Sequence, residues 1–131
     1  MQRYGKGKRM MSGKVIYRQR EIALTKFPFS NLTDFKVRPV LVLSKDSYNR
    51  KYADVIVCGI SSNLEESEYG IVVSTENLEE GHLKITSKIR VDALTNIEQD
   101  IIIKKIGRLK LAVFHEVLRK IHTLFVDKQQ K

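Results

Sequence analysis

Two almost wholly apolar runs constrain this chain more than any other feature: Val40-Leu41-Val42-Leu43 and Val55-Ile56-Val57-Cys58-Gly59-Ile60. Neither alternates with polar residues, so each predicts a strand buried on both faces. Pro39 opens the first run, a position where a missing N–H is tolerated. Other short segments surround them. Glu21 to Phe27 reads as a strand broken by Pro28, Tyr69 to Ser74 as another and Asp100 to Arg108 as a third, with one helical turn around Asp46 to Lys51. The clearest period-two signal runs from Leu83 to Ala93. It places Leu83, Ile85, Ser87, Ile89 and Val91 on one face and Lys84, Thr86, Lys88 and Arg90 on the other.

The end of the chain changes period. From Lys110 onward Leu111, Val113, Phe114, Val117, Leu118, Ile121, Leu124 and Phe125 recur mostly three and four apart, the stripe of an amphipathic helix. His115 and His122 fall on its polar face with Arg119 between them and no third ligand, which reads as solvated surface rather than a metal site. A succession of short strands closed by one helix predicts a mainly β protein, a small curled barrel or half-barrel capped by the C-terminal helix. The stripe is wide enough to cover the barrel and reach a second subunit. With 131 residues there is room for one domain, expected over 13–127. Residues 1–12, basic and aperiodic, read as a disordered arm, and 128–131 as a disordered tail.

Net charge is +9, but seven of the 24 basic residues lie among the first 20 positions with no acid beside them, leaving only +2 for the rest. Between Tyr52 and Leu83 there are seven acids and no Lys or Arg, and basic residues return from Lys84. This segregation predicts a bipolar surface with basic ground for phosphates. Cys58 has no disulfide partner and sits in an apolar run, so a buried, inert thiol in a reducing compartment is expected. No apolar stretch approaches the ~20 residues of a membrane span, and the basic start lacks a signal peptide's apolar segment, so a cytoplasmic protein is expected.

Chemistry has few places to reside. There is no phosphate-binding glycine loop, zinc-spaced Cys/His cluster or nucleophile elbow, so neither a metal nor a cofactor is called for. What remains is Lys36 and Arg38 before one buried strand and Ser61, Ser62 and Asn63 after the other. If those strands are antiparallel neighbours, the cations and hydroxyls converge at one sheet end, where loops on a rigid scaffold commonly carry function. Strand capping and turn formation are the bland readings of the same residues.

The ordered set F-P-F, K-x-R-P-V-L-V-L-S, V-I-V-C-G-I-S-S-N, S-K-I-R-V-D-A-L-T-N-I and K-K-I-G-R-L before a last helix resembles the MazF/PemK family of toxin endoribonucleases, over about residues 20 to 125. The resemblance implies an SH3-like barrel, a homodimer, a cognate antitoxin, and metal-independent cleavage of single-stranded RNA to 2′,3′-cyclic phosphate and 5′-hydroxyl ends. It puts the catalytic arginine at Arg38 and the family's threonine at Ser61, where serine keeps the hydroxyl. Lys36, Ser62, Asn63, Phe29, Lys88 and Arg90 are the expected RNA contacts. Ala93 and Thr95 stand where many members have glutamine and arginine, which bears on RNA sequence preference. Two alternatives stay open: a gyrase poison similar to CcdB, and a catalytically silent RNA-binding barrel using Lys84, Lys88 and Arg90.

The arm yields a direct test. Deleting residues 1–10 is expected to leave the salt dependence of RNA binding unchanged. A log–log slope flattened by about 0.7 for each lost phosphate contact would make the arm an RNA grip instead.

Overall fold

The computed structural model describes residues 10–11, 14–28 and 35–127; the rest of the predicted arm, the tail and Phe29 lie outside the described residues. In chain order the elements are β1 (Met10–Met11), β2 (Lys14–Val15), β3 (Glu21–Pro28), β4 (Phe35–Val42), α1 (Asp46–Lys51), β5 (Asp54–Ser61), β6 (Gly70–Val73), β7 (Leu78–Gly81), β8 (Ser87–Glu98), β9 (Ile102–Leu109) and α2 (Leu111–Phe125). β1 and β2 pair only with each other. The others form one antiparallel sheet in the order β6-β8-β5-β4-β3-β9-β7, curled into a half-barrel with α2 packed on it.

Both apolar runs are central strands, and both of their faces are covered except at Ile56, which is exposed near the start of β5. On β4, Val40 and Val42 join one core with Val55 and Val57 of β5, closed by Tyr17, Ile97 and Ile102. Leu41, Cys58 and Ile60 face the opposite core, which Phe114 and Val117 of α2 cap. The curl comes from irregular pairing. Along β5, the partner on β8 jumps from Leu94 opposite Cys58 to Arg90 opposite Gly59, and such bulges bend a strand. The core that contains Tyr17 is sealed by buried polar residues: the Tyr17 N–H donates to Gln99 Oε1 at 2.8 Å, and Gln99 Nε2 donates to the Asn49 carbonyl at 2.9 Å. Every donor so engaged avoids the cost of a buried unpaired polar group.

Several sequence-derived boundaries move. β4 starts at Phe35 rather than Pro39, because Phe35 to Pro39 pair with β3, while the β5 ladder begins at Val40. Pro39 thus lies beyond the end of the β5 ladder. Pro28 ends β3 but pairs with Phe35 instead of breaking the strand early. The acidic Leu78–Gly81 segment is a strand, β7, that the sequence reading did not identify. The period-two segment also shifts: β8 runs Ser87–Glu98, so Leu83 is buried but Ile85 is 58% exposed on the preceding loop. The stripe on α2 is wider than the half-barrel uses, leaving Leu111, Leu118 and Phe125 exposed.

One glycine is irreplaceable on steric grounds. Gly81 has φ +91°, and a Cβ there would meet the Ile106 carbonyl oxygen at 2.2 Å and Gly107 Cα at 2.4 Å. Neither obstacle is a flexible side chain. Gly81→Ala should lower unfolding free energy by about 2–4 kcal/mol, from left-handed strain plus overpacking, as read from denaturant melts.

Candidate active site

The register of the central pair builds the site. β4 and β5 run antiparallel with Val40 opposite Gly59, and carrying that register two residues further sets Arg38 across from Ser61. The convergence expected of neighbouring antiparallel strands is therefore realised. Lys36, Arg38, Ser61 and Ser62 line one cleft of about 520 Å³, whose far wall is supplied by His82, Lys84 and Ile85 after β7 and by Lys104 of β9.

The cleft is strongly cationic. Lys36, Arg38, Lys84 and Lys104 are exposed, and no Asp or Glu is among its lining residues. Among the described residues none of these four forms an ion pair. Two of the seven acids between Tyr52 and Leu83 are matched to cations at the sheet edge, whereas Glu65, Glu66 and Glu68 are exposed on the loop before β6. Glu79 accepts from Arg20 at 3.1 Å and lies 3.4 Å from Arg108, while Glu80 pairs with Lys105. Lys105 holds the Glu80 carboxyl below its ordinary range, first through that hydrogen bond and then through its charge. The acidic segment thus neutralises the sheet edge and leaves the cleft its charge.

The local geometry around Ser61 is a turn. Its Oγ accepts from the Asn63 N–H at 3.0 Å, and Asn63 Oδ1 accepts from the Glu65 N–H at 2.9 Å. An oxygen that accepts in this way keeps its own proton for donation into the cleft. Asn63 is occupied in shaping the turn and does not line the cleft.

Two expected RNA contacts lie elsewhere. Lys88 is 7% exposed: its stem lies over Gly70, and Nζ donates to the Glu65 carbonyl at 2.7 Å. It ties the 62–69 loop to β8 rather than offering a free ammonium. Arg90 is exposed and bonds Asp92 at 3.3 Å on the same strand, outside the cleft. Conversely, Lys104 and His82 line the cleft although no motif in the sequence marks them, and Lys84 lies here, apart from Lys88 and Arg90 of β8. His82 enters because the left-handed Gly81 turns the chain and the His82 N–H donates to the Ile106 carbonyl at 3.2 Å.

Arg38 also rims a second groove of about 410 Å³, floored by Val57, Gly59 and Leu94 and flanked by Phe27 and Thr95. That groove is mainly apolar. The arginine therefore stands between a cationic cleft and an apolar trough.

A family model described as "PemK-like, MazF-like toxin of type II toxin-antitoxin system" matches residues 18–125. The chain belongs to the PemK/MazF toxin family. Solved structures agree with this PemK/MazF fold. The MazE–MazF complex (Form-II) from Deinococcus radiodurans matches with TM-score 0.71 at 18% identity, covering 85% of this chain and 96% of that one. An endoribonuclease from Mycobacterial species matches with TM-score 0.68 at 13% identity, covering 84% and 91%. The Mycobacterium tuberculosis toxin MazF-mt6 gives 0.63 at 19% identity, covering 79% and 95%. Comparison with curated protein sequences gives no match. Among the described residues of this PemK/MazF chain, no helix is long and apolar enough to cross a membrane, and no cluster of His, Cys, Asp or Glu could hold a metal.

Cys58 takes no part in the site's chemistry. Burial, and then the charge of Asp92, pushes its thiol up to about 12. Iodoacetamide at pH 8 is expected to leave the native thiol unmodified and to label it fully in denaturant, as read by intact mass.

Proposed function

We propose that this chain is the toxin of a type II toxin-antitoxin pair and cleaves single-stranded RNA at its Arg38–Ser61 cleft without a metal. The observation that carries this reading is the cleft itself, where four cations and a hydroxyl converge and, among the described residues, no cation is ion-paired and no acid lines the wall. A polyanion is the ligand such a surface suits. Family membership and the neighbours named as endoribonucleases support RNA as that polyanion.

Cleavage proceeds by attack of the ribose 2′-oxygen on the adjacent phosphorus, with departure of the 5′-oxygen. Negative charge gathers on the nonbridging phosphoryl oxygens. The Arg38 guanidinium, a planar fork of donors, stabilises that charge, and Ser61 Oγ–H donates to a nonbridging oxygen. Lys36, Lys84 and Lys104 hold the flanking phosphates. Across Arg38, the apolar groove beside Phe27 suits a nucleobase face next to the bound phosphate. Ser62 lies at the cleft wall to position the strand.

The partners follow the family. A cognate antitoxin would cover this cleft with an extended acidic segment, as charge complementarity favours. A homodimer would bury the apolar stripe of Leu111, Leu118 and Phe125 that α2 leaves exposed.

The decisive assay incubates the purified chain with long single-stranded RNA in excess EDTA and characterises the product ends. Discrete fragments ending in 2′,3′-cyclic phosphate and 5′-hydroxyl are expected. Arg38→Ala should lower the rate by about 10²–10³-fold, as loss of an oxyanion donor does, and Ser61→Ala by less. Parental cleavage by Arg38→Ala would sink the mechanism. Intact RNA with tight binding would favour the silent barrel, and intact RNA with inhibited supercoiling the gyrase poison.

A further inference from the structure

The mechanism above lacks a group to take the 2′-hydroxyl proton. Arg38 is a poor acceptor, because a guanidinium stays protonated at any physiological pH. The other cleft side chains are lysines, serines and apolar residues, apart from one. Among the described residues lining the cleft, His82 is the only one whose side-chain type ordinarily exchanges a proton near neutral pH.

Its ring is also held by a neighbouring hydroxyl. Thr75 Oγ1 accepts from the Leu83 N–H at 3.0 Å and donates its single proton to the Leu83 carbonyl at 3.1 Å. The same oxygen lies 3.4 Å from His82 Nδ1. When the hydroxyl proton lies on the Leu83 carbonyl, that oxygen is an acceptor toward the ring, which corresponds to the tautomer with the proton on Nδ1 and the lone pair on Nε2. The backbone is held as well, through the left-handed Gly81 and the His82 N–H bond to Ile106. An exposed imidazole held at Nδ1 on the wall of a cationic cleft has the form of a general base acting through Nε2.

We infer that His82 is the catalytic base of this chain, an assignment that rests on the RNA-cleaving reading above. Nε2 takes the proton of the attacking 2′-hydroxyl as the bond from O2′ to phosphorus forms and the bond from phosphorus to O5′ breaks. The departing O5′ is protonated by water in the open cleft, and the imidazolium returns its proton to solvent. No oxidant, metal or other reactant is required. Thr75 acts through the histidine and is a positioning residue.

The test measures kcat/KM against pH on a fluorogenic oligoribonucleotide spanning a site mapped on long RNA, in EDTA. The charged groups lining the cleft with His82 are Lys36 and Arg38 of β4, Lys84 of the loop before β8 and Lys104 of β9. The parent is expected to show an acid limb of unit slope. His82→Gln should lose both that limb and about 10²–10⁴-fold of the rate, with RNA affinity and melting temperature unchanged. His82→Ala should recover activity with added imidazole, which a merely structural loss would not do. Activity of either variant within about threefold of the parent overturns the assignment, as does a retained acid limb in His82→Gln. If the parent itself leaves RNA intact, the RNA-cleaving reading falls and the assignment with it, whereas a failure confined to the histidine variants leaves that reading standing.

Discussion

The antiparallel register between β4 and β5 is the constraint on which the site depends. Where the two strands pair, from Val40 to Val42 and from Val57 to Gly59, side chains enter both cores: Val40, Val42 and Val57 enter one, Leu41 and Cys58 the other. Slipping the pairing by one residue would exchange those faces and force each core to accept the other's side chains. The register is therefore fixed by packing over the length of the pair, and the exposed residues beyond its end inherit that precision. Arg38 and Ser61 need no direct contact to be aligned, because the ladder that runs from Val42 opposite Val57 to Val40 opposite Gly59 aligns them.

That relation explains why part of the site was legible in the sequence. An uninterrupted apolar run signals a central strand, and hydroxyls or cations just past its end must lie at a sheet margin. Arg38, Lys36, Ser61 and Ser62 could be placed on that logic alone. His82 and Lys104 could not. Both reach the cleft through β9, which pairs with β3 on one side and with β7 on the other. The acidic character of Leu78–Gly81 concealed β7, since charges on an edge strand carry little strand signal. Once β7 is recognised, Gly81 at φ +91° marks the point where the chain turns into the cleft.

Lys88 shows the opposite failure. Alternation from Leu83 to Ala93 correctly separates the two faces of a strand, but it does not say where the strand begins. Residues 83–86 form a loop, so Ile85 is exposed on the cleft wall, while Lys88 is buried beside Gly70. A lysine can occupy such a place because its long stem packs as an apolar group and its ammonium reaches a carbonyl. Periodicity read the backbone well and the side chain's neighbours poorly, since the latter belong to a loop distant in sequence.

The distribution of ion pairs separates cations that support the fold from those that serve a ligand. Arg20, Arg108 and Lys105 are matched to Glu79 and Glu80 along the edge of the sheet. Lys36, Arg38, Lys84 and Lys104 face a shared cleft with no acid among the described residues of its wall, and their mutual repulsion opposes folding. A scaffold that already has acids one strand away, on β7, could have neutralised this surface at no topological cost. A phosphodiester, the ligand proposed for this cleft, would relieve that repulsion on binding, so part of its affinity would be stored in the fold itself. A basic residue's unpaired state in a concave site is thus more informative than its number in the chain, most of whose net charge lies in the N-terminal 20 residues.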